Sequence, residues 1–187
     1  MRNFLAAFGF LTEDEIDEFE KKGVAKTLKK GHFFIKEGQV CNEVGFIISG
    51  LFRSFYHSSS EEEVTYCFSF SNSFVTAYSS FITGNKTVEN IQALTDVEIV
   101  TISKEEILKL EQSSANWIKF SKVIAEQEYV KMEKRIFMLQ KETAENRYRN
   151  LLTNHPEYLQ LIPLNFLSSY LGITQRHLSR IRKSISY

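Results

Sequence analysis

Glycine is distributed very unevenly along this chain, and its distribution divides the chain into two parts of different secondary structure. Seven of the eight glycines lie at or before Gly84, and the eighth is Gly172. In the first part they separate short runs rich in Phe, Ile, Val and Tyr, a pattern typical of antiparallel strands joined by tight turns. The segment without glycine favours helices, because glycine destabilises helix interiors. We therefore predict an N-terminal β domain followed by helices.

Six short segments of the first part have the length and composition of strands. Gly31, Gly38, Gly50 and Gly84 mark turns, where glycine accepts backbone angles that other residues resist. Short strands and turns at this spacing favour a compact roll or barrel. The predicted strands span residues 23–29, 32–36, 45–57, 63–69, 89–93 and 96–103.

Capping sequences predict helices before and after this roll. Thr12 and Glu15 have the spacing of a capping box, and apolar residues follow them at helical spacing. Ser103 is a suitable N-cap for a helix over residues 104–110. A further helix over residues 144–154 ends before Pro156.

Residues 115–141 form the longest predicted helix. Its apolar residues recur at steps of three, four and seven, which indicates one apolar stripe. A helix of this length extends about 40 Å, more than one side of a small domain covers. The stripe packs either on the chain's own β domain or on a second copy, as in a coiled coil. It comprises Phe120, Val123, Ile124, Val130, Phe137 and Met138.

The segment from Leu164 to Arg182 has the pattern of a helix-turn-helix. Gly172 supplies the positive φ that a tight turn between two helices requires, and Ser168 is a small residue in the first helix. No Asp or Glu occurs from Leu164 onward. This combination favours a DNA-binding motif over a helical hairpin with a solvated basic face. The predicted shared core is Leu167, Leu171, Ile173, Leu178 and Ile181.

The second helix of this motif carries side chains suited to duplex DNA. Gln175 and Arg176 lie at its leading end, where Arg pairs with guanine and Gln with adenine in the major groove. Arg180 follows one turn later, while Arg182 and Lys183 are suited to phosphates. The predicted DNA-binding residues are Thr174, Gln175, Arg176, His177, Ser179, Arg180, Arg182 and Lys183.

Charge and cysteine content exclude several kinds of protein. The formal net charge is zero, but the last segment is basic, so the total does not argue against nucleic acid. Two cysteines, Cys41 and Cys67, exclude a disulfide framework and a four-cysteine metal site within one chain.

We expect no metal and no cofactor, since the four histidines fall in no ligand pattern. Without a membrane-length apolar run or a signal peptide, we expect a cytoplasmic protein.

These segments resemble the Crp/Fnr family of transcription regulators over almost the whole chain. Residues 30–38 (KGHFFIKEG) are similar to the family's opening β-hairpin, residues 46–53 (FIISGLFR) to its next glycine-turned strand, and residues 172–181 to its recognition element. The resemblance implies a homodimer, with RNA polymerase as a further candidate partner. Phe4, Phe8, Phe10 and Phe19 are then either core residues or contacts to the transcription machinery.

The resemblance also implies an α+β architecture in three parts. The first is an antiparallel β-roll of the cyclic nucleotide-binding type, a double-stranded β-helix with flanking helices. A long dimerisation helix joins it to an all-α helix-turn-helix domain. The predicted bounds are residues 1–114, 115–141 and 142–187.

The sequence departs from the family in the short cassette that holds a cyclic nucleotide, here residues 72–89. Ala77 stands where the family has a glutamate for the ribose, and Thr87 where it has an arginine for the phosphate. Losing the guanidinium removes hydrogen bonds worth about 1.5–3 kcal/mol, so we do not expect the usual cyclic AMP binding. The polar residues here either bind another, unidentified small-molecule effector or only bond to one another. The candidate pocket comprises Thr76, Ala77, Tyr78, Ser79, Ser80 and Thr87.

A second departure concerns the end of the sequence. The residues after the recognition helix leave no room for the β-wing of many relatives, so we expect fewer phosphate contacts and a weaker salt dependence.

Two functional hypotheses follow from the sequence. The first is a homodimeric regulator that binds double-stranded DNA at two half-sites about 34 Å apart and that an effector controls. The alternative is a small-molecule binding module whose C-terminal domain is vestigial or contacts protein. We do not expect an enzyme, because the sequence has no nucleophile–base motif, phosphate loop or metal constellation.

Overall fold

The computed structural model describes residues 1–185, and its first part consists of two four-stranded antiparallel sheets. One sheet has the order β1-β8-β3-β6 and the other β2-β7-β4-β5. The predicted α+β class with an N-terminal antiparallel roll is confirmed. The strands are β1 (Val24–Leu28), β2 (Phe33–Ile35), β3 (Glu43–Ser49), β4 (Leu51–His57), β5 (Glu63–Phe70), β6 (Phe74–Val75), β7 (Glu89–Ala93) and β8 (Val97–Ser103).

Side chains from both sheets fill the interior of the roll. Ile47 and Ile99 come from one sheet, Phe52 and Ile91 from the other, and all four are almost fully buried. Alternation along a strand sends every second side chain inward, so short strands suffice to build this core. The roll therefore encloses a packed apolar core.

The predicted strand over residues 45–57 is two strands, because the chain changes sheets at Gly50. β3 lies in the first sheet and β4 in the second, and Gly50 between them has φ +98°. A Cβ there would lie 2.5 Å from the carbonyl oxygen of Asp96, so the backbones approach closely at this corner. The two-residue strand β6 was not predicted, since so short a segment has no measurable periodicity.

Helices precede and follow the roll as the capping sequences predicted. Thr12 and Glu15 form the capping box of α2, and Ser103 caps α4. The helices are α1 (Arg2–Ala6), α2 (Glu13–Lys22), α3 (Tyr78–Thr83), α4 (Lys104–Ser113), α5 (Ala115–Lys141), α6 (Ala144–Asn154), α7 (Pro156–Leu161), α8 (Leu164–Tyr170) and α9 (Gln175–Ile185).

Glu15 also joins α2 to the junction of α4 and α5. Its carboxylate accepts hydrogen bonds from the hydroxyl of Ser114 and the amide of Asn116. Burial alone would raise the pKa of this carboxyl, but the hydrogen bonds from Ser114, Thr12 and Asn116 outweigh it and hold the pKa below its ordinary value.

A second apolar cluster packs these helices together. Phe19 stacks on Trp117 with ring centroids 5.1 Å apart, and both side chains are buried. Phe4, Phe8 and Phe10 pack against the same cluster and are partly buried. The N-terminal aromatics therefore serve as core residues.

The chain forms two compact units. The N-terminal unit comprises residues 1–56 and 67–125, and the C-terminal unit comprises residues 57–66 and the chain from Glu126 onward. Ser186 and Tyr187 lie outside the described residues. The end of the predicted domain over residues 142–187 therefore also lies outside them, and the expected lack of a β-wing stays a prediction.

Replacing Gly50 by alanine should destabilise the N-terminal unit by about 3 kcal/mol, because the new Cβ meets a backbone oxygen at an unfavourable φ. Gly31→Ala is the matched control, since Gly31 has φ +86° but no atom within 4 Å of the new Cβ. It should cost about 1–2 kcal/mol. Urea unfolding of both variants measures the difference; equal costs would contradict the close approach.

Candidate nucleic-acid interface

Helices α8 and α9 form the predicted helix-turn-helix. Gly172 has φ +67° at the turn, and the N–H of Ile173 donates to the carbonyl of Ser168 at 3.0 Å. Ser168 is buried, and its hydroxyl donates to the carbonyl of Asn165 at 2.9 Å. A larger side chain at position 168 would separate the two helices.

The two helices share an apolar core. Leu167 and Leu171 of the first helix and its turn, and Leu178 and Ile181 of α9, are at most 5% exposed. Ile173 is half-buried beside them. One side of α9 therefore packs against α8 and the turn, and the opposite side of α9 is exposed to solvent.

The predicted DNA-binding residues occupy the open side and the two flanks of α9. Successive residues are 100° apart around a helix, so Arg176, Arg180 and Lys183 lie opposite the buried Leu178 and Ile181. We call these three the basic ridge. The flanks carry Gln175 and Arg182 on one side and His177 on the other, and all of these residues are exposed.

Two of the predicted residues have a local structural role. The hydroxyl of Thr174 accepts a hydrogen bond from the N–H of His177 at 3.2 Å, which caps α9. The hydroxyl of Ser179 donates to the carbonyl of Gln175 at 2.9 Å. The structure therefore brings Arg176, Ser179, Arg180 and Lys183 to one face and uses Thr174 to begin the helix.

Arg147 positions this motif, although the sequence did not single it out. It is 9% exposed in α6, and its guanidinium donates to the carbonyls of Leu171 at 3.0 Å, Glu142 at 2.7 Å and Leu139 at 3.3 Å. These carbonyls lie at the ends of α8 and α5, where helices leave acceptors unpaired. Its only sequence signal was its position, next to Tyr148 and four residues after the cap Thr143.

A second arginine contacts the turn from α5. The guanidinium of Arg135 lies 3.8 Å from the ring centroid of Tyr170 and donates to the Tyr170 carbonyl. A Cβ on Gly172 would lie 3.4 Å from the Leu139 side chain. The end of α5 therefore packs directly against the helix-turn-helix turn.

The hairpin segment 57–66 contacts α8 through Ser169. The Ser169 hydroxyl donates to the carbonyl of Glu63 at 3.1 Å and accepts from the N–H of Thr65 at 2.9 Å. Both groups lie on one edge of β5, which is the outer strand of its sheet. One side chain thus satisfies two backbone groups at an open sheet edge.

The hydroxyl groups in the candidate ligand pocket of the cassette form hydrogen bonds with backbone groups. Thr76 donates to the carbonyl of Glu43, Ser80 donates to that of Asn85, and the Thr87 hydroxyl accepts from the N–H of Glu89. Ala77, Ser80 and Thr87 are buried, while Tyr78 and Ser79 are exposed. The three hydroxyls therefore bond to backbone groups of residues outside the predicted set rather than to one another, and effector binding by these residues stays a prediction.

A cleft of about 300 Å³ lies elsewhere in the N-terminal unit. It is lined by Phe34, Gln39, Cys41, Glu43 and their neighbours, and not by the predicted pocket residues.

Within residues 1–185, no group of three or more His, Cys, Asp or Glu side chains is arranged to hold a metal ion. None of the helices described combines the length and apolarity needed to cross a membrane.

Helix α5 has two different apolar faces. Phe120 is buried and Ile124 partly buried against the N-terminal unit, so the first turns of the predicted stripe pack on the chain's own domain. Val130 and Phe137 of that stripe are 43% and 50% exposed. The opposite face presents apolar residues seven apart at first and then, from Ala125 onward, at alternating steps of four and three, a coiled-coil spacing that the sequence prediction missed. We call it the α5 seam: Ile118, Ala125, Tyr129, Met132, Ile136 and Leu139.

Comparisons with known proteins agree with this architecture. Residues 25–114 match the family model of the cyclic nucleotide-binding domain. FixK2 from Bradyrhizobium japonicum superposes with a TM-score of 0.77 at 15% identity, covering 88% of this chain and 84% of its own. The c-di-GMP responsive global regulator CLP of Xanthomonas campestris gives 0.74 at 17%, covering 94% and 92%.

The catabolite activator protein of Thermus thermophilus gives a TM-score of 0.62 at 17% identity, covering 96% of this chain and 85% of its own. At such identities the likeness concerns the fold. No curated protein matches the sequence.

Arg147→Met should destabilise the C-terminal unit by about 3 kcal/mol, because it leaves three carbonyl groups at helix ends without a donor. Arg149→Met on the same helix is the control; Arg149 is exposed and pairs with Glu145, which is worth about 0.3–0.5 kcal/mol. Amide hydrogen exchange in α8 and α9 reports the local loss. Unchanged protection in Arg147→Met would contradict the positioning role.

Proposed function

Because this chain has the Crp/Fnr fold, with a cyclic nucleotide-binding domain at residues 25–114, we propose that it is a transcription regulator that binds double-stranded DNA as a homodimer. The basic ridge of α9 is the observation that carries this proposal. Arg176, Arg180 and Lys183 lie in one line on the open side of a helix whose other side is buried. Such a helix fits the major groove, which admits one α-helix.

The α5 seam supports a second copy of this chain as the partner. Its apolar side chains follow a heptad pattern over about 30 Å, and Tyr129, Met132 and Ile136 are 68%, 48% and 47% exposed. The same face on a two-fold related copy is its natural complement, since a symmetric dimer buries identical surfaces. Two recognition helices would then contact half-sites about 34 Å apart.

The cassette does not support cyclic AMP as the effector. Neither Ala77 nor Thr87 offers a charge to a cyclic phosphate, and the neighbouring hydroxyls are engaged with backbone groups. An effector, where one acts, must bind one arrangement of the protein more tightly than another. The proposal of a regulator does not depend on such a ligand.

Selection from random duplex DNA at near-physiological salt should enrich a pseudo-palindromic site. Arg176→Glu together with Arg180→Glu should abolish the enrichment, because two carboxylates on the ridge repel phosphates and cannot donate hydrogen bonds to the O6 and N7 acceptors of guanine. Circular dichroism checks that the doubly substituted chain remains folded. The binding-module alternative predicts instead that neither protein enriches any duplex.

Ile136→Glu should convert the dimer to a monomer, because it places a charge in the middle of the α5 seam. Lys134→Glu is the control, since Lys134 is exposed on the opposite side of α5. Analytical ultracentrifugation measures the mass, and DNA carrying both half-sites should bind the Ile136→Glu variant about 100-fold more weakly. A dimeric Ile136→Glu variant would exclude the seam as the interface.

A further inference from the structure

The cleft of about 300 Å³ in the N-terminal unit adjoins a second cavity of about 400 Å³, because Phe34 and Glu43 line both. Together they form one depression bounded by β1, β2 and residues 39–43, and we call it the edge cleft, since β1 and β2 are outer strands of the two sheets. Cavities of about 300–1,000 Å³ are the usual size of small-molecule sites. The second cavity is further lined by Lys26, Thr27, Leu28 and Phe33.

The walls of the edge cleft are largely apolar and aromatic. Phe33 and Phe34 are neighbours in β2, and both are half-buried. Leu28 and Phe34 also pack against the core of the roll, which fixes their positions. Two partly open phenylalanine rings offer a flat ligand a large apolar contact area.

The charges in the edge cleft cancel. Of the described residues that line it, only Lys26 and Glu43 carry a charge. The Lys26 Nζ lies 2.6 Å from a carboxylate oxygen of Glu43. A charged ligand would compete with this ion pair, whereas an uncharged ligand leaves it intact.

Two side-chain amides supply hydrogen-bonding groups to the edge cleft. The exposed side chain of Asn42 forms no hydrogen bond within residues 1–185. The Gln39 side-chain oxygen accepts from the N–H of Lys36 at 2.8 Å, and its NH₂ group is open to a ligand. Amide groups bind hydroxyl and carbonyl groups without requiring a charge.

Hydroxyl groups of the cassette hold one wall of the edge cleft in place. The N–H of Cys41 donates to the Ser80 hydroxyl at 2.9 Å, and the Thr76 hydroxyl donates to the carbonyl of Glu43 at 3.0 Å. Cys41 is 2% exposed. This wall is therefore preformed, and a ligand does not have to order it on binding.

We propose that the edge cleft binds an uncharged small molecule with an aromatic ring and a hydroxyl or carbonyl group. Phe33 and Phe34 contact the ring, while the amides of Gln39 and Asn42 bind the polar group. Such a ligand contacts the segment to which the cassette is bonded, so it acts on the cassette without entering it. Binding here does not require the proposed DNA binding.

A fluorine NMR titration of the full-length chain tests the preference for an uncharged ligand. The probe is para-fluorobenzyl alcohol, and para-fluorobenzoate and para-fluorobenzylammonium are its charged analogues of similar size. The alcohol should bind at least about 5-fold more tightly than either analogue, because only the alcohol leaves the Lys26–Glu43 pair undisturbed.

Two substitutions change the charge of the edge cleft in opposite directions. Lys26→Met leaves the Glu43 carboxylate without its cation, so the ammonium analogue should become the tightest of the three binders. Glu43→Gln leaves Lys26 without its anion, so the benzoate should become the tightest. The same titrations measure both orders of affinity.

A matched pair of tryptophan substitutions locates the bound probe. Val40 lines the edge cleft and is 40% exposed, whereas Val88 is 74% exposed and does not line it. Val40→Trp should weaken binding of the alcohol about 10-fold by filling the cleft, and Val88→Trp should leave it unchanged. In the wild-type chain, the alcohol should slow amide hydrogen exchange at residues 41–43.

The proposal is overturned if the alcohol does not bind, binds no better than its charged analogues, or binds the Val40→Trp variant as tightly as the wild type. None of these outcomes bears on the selection of duplex DNA, so a failure here is distinct from a failure of the proposed regulator function.

Discussion

The guanidinium of Arg147 is the interaction on which the C-terminal unit depends. It binds carbonyl groups at the end of α5 and at the end of α8, two helix termini that would otherwise leave acceptors unpaired. A cation at two helix C-termini also complements both helix dipoles. Since Leu171 immediately precedes Gly172, the same contact fixes where the turn begins and hence the direction of α9.

Much of the fold could be predicted because it depends on local signals. The Thr12–Glu15 capping box, the Ser103 cap and the Gly172 turn are short-range features, and the structure has all three. The change of sheets at Gly50 was missed, because the approach of Asp96 is a contact between residues far apart in sequence. The spacing of apolar residues around Gly172 predicted the helix-turn-helix core, but not the buried arginine that supports it.

The same holds for the site: its residues were predicted where they follow from short-range sequence patterns and missed where they depend on contacts between distant residues. Sequence identified the residues of α9, and helix geometry then distinguished the basic ridge from its flanks. The α5 seam escaped prediction because Lys122 interrupts its apolar pattern, while the buried Phe120 and Ile124 on the other side gave a stronger signal. In the cassette, composition could not identify the partners of Thr76 and Thr87, since these partners are backbone groups, which every residue type carries.

The contact of Ser169 with the hairpin bears on how such proteins recombine during evolution. The C-terminal unit is discontinuous in sequence, because residues 57–66 belong to it and lie within the span of the other unit. A gene fusion that joins a new C-terminal segment at α5 therefore brings α8 without the strand edge that Ser169 satisfies. Exchange of C-terminal segments between chains of this fold is then constrained to pairs whose hairpin and first helix already match, so the two stretches should diverge together.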